Sequence, residues 1–354
     1  MSSSTRRGFL QRGGGALAAG ALAGTATPAA AHAATRPSAT LPVGYPLGPF
    51  VRDRANPILR PGTQPWESKF VFNPAAVVKD GLVQLLYRAQ GPDLRSSIGL
   101  ATSRDGVHFQ RRSEPVLVAT EPYELPGGCE DPRVVSVGGT YYMTYTGYDG
   151  SSARLCLATS PDLVNWTKHG PMFADFQTRD VGKPWSKSGA ILTTKVTDPA
   201  TGRRRYVMYF GDKDIYYAWS DDLLHWTPGP VDHPVMRPQP GTYSAELLEP
   251  GPPPLITENG YILLIHNAAA HDPDGKLVYR AGQALIDPAT PVTELARLTQ
   301  PFLVPTTPDE TAGQVDNVVF VEGLVAYRGE WLLYYGEGDA GVGVLHGASR
   351  TGCG

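Results

Sequence analysis

Tyr141-Tyr-Met-Thr-Tyr-Thr146 packs aromatic, β-branched and thioether side chains into six residues and runs straight into Gly147. That is the pattern of a buried strand closed by a turn. Four further stretches match it: Val83-Gln-Leu-Leu-Tyr-Arg88, Tyr206-Val-Met-Tyr-Phe210, Tyr261-Ile-Leu-Leu-Ile265 and Trp331-Leu-Leu-Tyr-Tyr335. Their third positions, 85, 143, 208, 263 and 333, are 58, 65, 55 and 70 residues apart. A period near sixty suits one four-stranded propeller blade per copy. Two sheets of a sandwich would not produce five matched copies. The sequence therefore predicts an all-β fold, a five-bladed β-propeller in a single domain over residues 42–354. Ligands of such folds sit at one end of the central channel, ringed by residues from every blade.

A second unit follows the first three copies at a fixed offset: Ala101-Thr-Ser-Arg-Asp105 with Phe109, Ala158-Thr-Ser-Pro-Asp162 with Trp166, and Ala218-Trp-Ser-Asp-Asp222 with Trp226. A strand ends in Ser, and the Asp two residues on is placed to bond the turn backbone. The aromatic four residues later is expected to pack back under the blade. The last two copies keep only traces, Ala281-Gly-Gln-Ala and Gly347-Ala-Ser.

Residues 1–33 read as an export signal rather than as fold. Arg6-Arg7 precede an Ala/Gly-rich apolar run, and Ala31-His-Ala33 offers a small-x-small cleavage site. This is the twin-arginine pattern, which implies passage through the Tat translocon and a secreted or extracytoplasmic location. Residues 34–41 form a linker. The segment holds three Arg and no acid, so cleavage takes the net charge from −3 to −6. An acidic chain without a basic run argues against nucleic acid and, after cleavage, against a membrane partner. Changing Arg6 and Arg7 together to Lys is expected to leave uncleaved precursor inside the cell, and normal secretion of that variant would refute the assignment.

The candidate site residues lie at strand starts and ends. Gly127-Gly-Cys-Glu-Asp-Pro-Arg133 holds Asp131 in a rigid turn, as a general acid requires, and the neighbouring Glu130 is expected to raise its pKa. The same residue also reads as a turn Asp that caps a strand. Asn56 and Asn73 each precede Pro, where the chain is expected to be extended and the side chain available to a ligand. Arg88 ends a core strand and needs a carboxylate or a ligand. Lys187 stands before a third-copy strand. Glu249, followed by Pro250-Gly-Pro-Pro-Pro254, is presented from an edge strand. His266, Glu246, Glu310, Asp316, Asn317 and Asp339 complete the polar set. Three cysteines (129, 156, 353) and eight histidines show no metal-site spacing, so neither a metal nor another cofactor is expected. Free thiols are the default, with a Cys129–Cys156 bridge as the open alternative.

Together these segments resemble glycoside hydrolase family 130, the β-mannoside phosphorylases and β-1,2-mannosidases. The resemblance rests on Asn56-Pro-Ile-Leu, Phe72-Asn-Pro-Ala, Tyr87-Arg-Ala, Glu130-Asp-Pro-Arg133, Lys187-Ser-Gly-Ala-Ile, Gly251-Pro-Pro-Pro, Asn317-Val-Val-Phe and Tyr334-Tyr-Gly-x-x-Asp339. It implies a five-bladed propeller, a β-mannoside oligosaccharide substrate and inversion at the anomeric carbon. It assigns Asp131 as general acid and suggests that Asn73, Arg88 and Asp339 grip the mannosyl unit.

Two departures from the family pattern are informative. Phosphorylases end the third-blade strand in His-Arg, which helps to hold phosphate; here Phe210-Gly-Asp212 stands instead. They read Gly-x-Gly before the proline run, where this chain has Glu249-Pro-Gly251. A dianion needs cationic donors and is repelled by acids, whereas water needs a carboxylate base. The expectation is thus an exported, metal-independent, inverting β-mannosidase acting on β-1,2-linked mannosides. Asp131 is its acid and Glu249 its base, with Glu310 and Glu246 as weaker candidates for the base. Glu130, Lys187, His266 and Asn317 join the substrate-binding set. A β-mannoside phosphorylase, a non-catalytic mannan-binding propeller and a propeller furanosidase are the rivals.

Overall fold

The computed structural model describes residues 41, 43–178 and 182–347. The expected export segment, Cys353 and the end of the trace at Gly347-Ala-Ser therefore lie outside the described residues.

The described residues form four hydrogen-bonded sheets and almost no helix. The largest, of eight strands, consists of two antiparallel units: one built on Phe70–Lys79, Leu82–Gln90, Ser96–Ser103 and Phe109–Arg111, the other on Gly128–Val137, Thr140–Tyr148, Ala153–Ser160 and Thr167–Pro171. A single parallel pair, Ser96 with Gly128, joins them. The third unit pairs Ala190–Ile191, Arg204–Phe210, Tyr216–Ser220 and Thr227–Pro228. The fourth pairs Leu247–Pro250, Ile262–His271, Leu277–Ile286 and Glu294–Arg297, and the fifth Val319–Tyr327, Glu330–Glu337 and Gly341–Gly347. The early strand Phe50–Arg52 adds to the fifth unit beside Gly341–Gly347. All five aromatic repeats of the sequence lie on the second main strand of their unit, with Tyr261 just before its start, and each of these strands is hydrogen-bonded to a partner on both sides.

Five hydrophobic clusters each draw on two units. Leu85 and Tyr87 of the first meet Leu332 and Tyr334 of the fifth, and Leu86 of the first meets Val134 and Met143 of the second. Leu155 of the second packs with Met208 and Phe210 of the third. Val207 and Tyr209 of the third join Leu248 and Leu264 of the fourth, and Leu263 and Ile265 of the fourth join Leu333 and Tyr335 of the fifth. Removing these side chains from water, at roughly 25 cal/mol per Å² of apolar surface, is what holds each unit to its two neighbours.

The Ser-x-Asp turns behave as their spacing predicts. Oγ of Ser103, Ser160 and Ser220 accepts from the backbone N–H three residues on, and Oδ1 of Asp105, Asp162 and Asp222 accepts from the next two N–H groups. Trp226 is buried in its cluster, while Trp166 and Phe109 pack against theirs. Cys129 and Cys156 are buried, free thiols, so the alternative of a bridge between them is not realised.

Candidate active site

The first strands of the first, second and fifth units are each broken by a register shift: at Phe72/Pro74, Glu130/Arg133 and Val321/Gly323. Asn73 and Asp131 stand on two of these bulges with φ of 48° and 49°. The expectation of an extended Asn before Pro is thereby corrected. A bulge needs a residue that tolerates the left-handed region, and Asn and Asp do so at the lowest cost among residues with a side chain. The bulge turns both side chains out of the pleat and towards each other.

Asn73, Arg88, Asp131, Lys187, Glu249 and Asp339 line one cleft of about 140 Å³, closed on its other wall by Tyr279, Val315, Val318 and Phe320. Asn73 Nδ2 donates to Asp131 Oδ1 at 2.9 Å, and Arg88 Nη1 donates to the same oxygen at 3.0 Å. Lys187 Nζ lies 3.6 Å from Asp131 Oδ2. Arg88 Nη2 donates to Glu130 Oε1 at 2.6 Å, and Ser96 Oγ donates to that oxygen at 3.2 Å. Glu130 therefore orients Arg88 from behind. The Ser188 hydroxyl donates to Glu249 Oε1.

The electrostatics correct one expectation. Burial alone would raise the pKa of Asp131, but Arg88 and then Lys187 outweigh it and hold the carboxyl well below the usual range. The upward shift falls instead on its neighbours. Burial, reinforced by Asp131, raises Glu130; burial and Asp212 raise Glu249 against the pull of Lys187. Asp339 is pushed up to about 7 by burial and by Asp131, against the pull of Arg88. Burial opposes the Lys187 ammonium, yet Glu249 and Asp131 prevail and raise its pKa.

Several sequence candidates stand elsewhere. Glu310 is corrected as a base: its carboxylate accepts from Arg52 Nε at 2.7 Å, from the Tyr335 hydroxyl at 2.9 Å and from the N–H groups of Thr306 and Thr307, which caps the short helix Pro308–Thr311. With all these donors it is a structural clasp. Glu310→Gln is expected to cost about 1–3 kcal/mol of stability with kcat unchanged, read by thermal unfolding beside steady-state rates. His266 is corrected as a substrate-binding residue. It is fully buried, stacks on Tyr243 at 6.1 Å between ring centres, and burial lowers its pKa to about 3. Asn56 clasps Val344 through both its amide groups, and Glu246 and Asp316 lie outside the cleft lining. Asn317 takes φ 59° two residues before the strand Val319–Tyr327, its backbone carbonyl accepts from the Tyr279 N–H, and it is not among the residues that line the cleft. Tyr279 and Glu322 were not singled out in the sequence, and Ser188, Phe320 and Arg133 stood there only inside the motifs of the family resemblance, with no role of their own.

Comparison with known proteins gives a consistent picture. The profile of the family described as beta-1,4-mannooligosaccharide phosphorylase (glycoside hydrolase family 130) matches residues 50–350. A 1,2-beta-oligomannan phosphorylase of Thermoanaerobacter sp. (strain X514) is 35% identical over 301 residues, covering 81% of this chain and 93% of that protein. A beta-1,2-mannobiose phosphorylase of the same strain is 34% identical over 305 residues, with the same coverage. A solved structure described as belonging to glycoside hydrolases within the mannoside phosphorylase family, targeting beta-1,2 mannosidic linkages in Candida mannan, superposes with a TM-score of 0.77. It is 36% identical and covers 86% of this chain and 95% of its own.

Proposed function

Because the chain belongs to glycoside hydrolase family 130, an enzyme family acting on β-mannosides, we propose that it cleaves β-1,2-linked mannosides with inversion and that water is its nucleophile. In this reading Glu249 takes a proton from water as the water oxygen bonds to the anomeric carbon. The glycosidic C–O bond breaks, and Asp131 delivers a proton to the leaving oxygen, directly or through a sugar hydroxyl. Asn73, Arg88 and Asp339 hold the mannosyl unit, and Lys187 stabilises charge between the two carboxylates. No step needs a metal.

The observation that carries the choice of nucleophile is Glu249 inside the cleft. Its two cations, Arg88 and Lys187, are already matched to Glu130, Asp131 and Glu249. A phosphate dianion entering here would add two negative charges beside Glu249 and Asp339, in a cleft whose carboxyl groups already outnumber its cations.

Phosphorolysis is the second reading, and the names of the curated relatives back it better than they back hydrolysis. The test is cleavage of β-1,2-mannobiose with and without phosphate, followed by anomer-resolved NMR. The hydrolase reading expects mannose, α-anomer first, at a rate that phosphate does not alter. A rate proportional to phosphate, with mannose 1-phosphate as product, would replace it by the phosphorylase reading.

We infer the five-bladed propeller on the same footing. Five antiparallel units, five clusters that link each unit to two neighbours, and an early strand completing the last unit all support it. Export by the twin-arginine route is likewise part of the proposal and agrees with hydrolysis, since a released sugar phosphate is of use inside the cell.

A further inference from the structure

Arg133 is the largest fully buried side chain, 2% exposed, and its guanidinium reaches three separate stretches of chain. Nη1 donates to the carbonyl of Asp131 at 3.3 Å, within its own bulge. Nη2 donates to the carbonyl of Pro250 at 2.6 Å, and Nε to that of Gly251 at 2.9 Å, both in the fourth unit. Nη2 also lies 3.1 Å from Oε1 of Glu322, in the fifth unit at the third register shift. Glu322 is fully buried and has no hydrogen-bond partner on either oxygen; burial pushes its pKa well up, and the Arg133 guanidinium is the group that pulls it back and favours its charged form. Gly251 has no room to drift: a Cβ there would sit 2.9 Å from the Ile265 carbonyl and 3.1 Å from Val321.

We propose that Arg133, neutralised by Glu322, is the positioning residue that sets the distance between the Asp131 and Glu249 carboxyls. One end of its rigid fork is tied to the backbone of Asp131, and the other to the residue that follows Glu249. The inference rests on the reading of those two residues as acid and base. An inverting site depends on that distance because water must fit between sugar and base. A planar guanidinium can bridge three carbonyls at fixed angles, whereas an ammonium is a single point on a flexible stem. The ion pair lets the fork stay charged in a dry interior, where an unpaired charge would be costly.

The experiment uses the full chain in two variants. Arg133→Lys keeps the charge and loses the fork; Arg133→Met with Glu322→Leu removes both charges together, so that neither is left unpaired. Crystal structures are expected to show the carboxyl separation displaced by about 1 Å, with kcat on β-1,2-mannobiose reduced by about 10²-fold and KM changed less than about threefold. An unchanged separation and kcat, with only a lower melting temperature, would overturn the proposal and leave Arg133 as packing. So would full activity in Arg133→Lys. If the wild type cleaves no β-mannoside while the separation still shifts, the positioning role stands and the functional reading falls.

Discussion

Replacing Asp131 by Asn is expected to lower kcat on β-mannosides by about 10²–10⁴-fold or more while the protein stays folded and still binds the sugar. The fold should tolerate the change because the cations around Asp131 have other partners: Arg88 keeps Glu130, and Lys187 keeps Glu249. The amide oxygen can still accept from Asn73. If Asp131 were only a strand cap, activity would instead fall in step with the folded fraction, and circular dichroism beside kinetics separates the two cases. The proton balance adds a second signature. The working form needs a protonated Asp131 and an ionised Glu249, yet the cleft holds Asp131 low and Glu249 high. With the acid depressed, its protonated form grows as pH falls; with the base raised, its ionised form is lost on the same side. The working form is therefore a minority species. The kcat/KM profile should be a low, broad bell whose limbs turn at the depressed Asp131 pKa and the raised Glu249 pKa, and Glu249→Gln should remove its acid limb.

That same substitution carries the second large effect. Glu249→Gln keeps the volume and a polar contact to Ser188 but cannot take a proton from water. Hydrolysis is expected to fall by about 10²–10⁴-fold. Azide should restore part of the rate and yield the α-mannosyl azide, because an anionic nucleophile needs no base. It would also enter a site relieved of one negative charge. Were phosphate the natural nucleophile, removing that charge would ease its binding instead. A Glu249→Gln enzyme that gains phosphate-dependent turnover would show that the carboxylate blocks phosphate, whereas a variant with wild-type hydrolysis would exclude Glu249 as the base.

Much of the site was legible because its residues sit next to conspicuous punctuation. Asp131 and Asn73 precede prolines, Glu249 opens a proline run, and Lys187 and Arg88 flank strands whose apolar pattern is unmistakable. All five line the cleft. Glu310 and His266 misled for one reason: an acid or an imidazole on a strand or turn looks the same in sequence whether it faces ligand or protein. Glu310 spends its carboxylate on Arg52, 258 residues away in sequence, a partner that no local pattern indicates.

Local chemistry alone decided the all-β character, the strands and turns of each repeat, and the list of groups able to move protons or hold a sugar. It could do so because a strand's apolar alternation and a turn's Gly, Pro or Asp act within a few residues. The tertiary structure decided which of those groups share a cleft and what charge each carries there. Asp131 is ionised because Arg88 and Lys187, 43 and 56 residues along the chain, converge on it in a buried site where water screens little. The bulges that aim Asn73 and Asp131 form only when strands pair, and the guanidinium ties Asp131 to the strand of Glu249 only when separate units pack together. Burial and long-range Coulomb interactions belong to the assembled fold, and no segment of the chain contains them by itself.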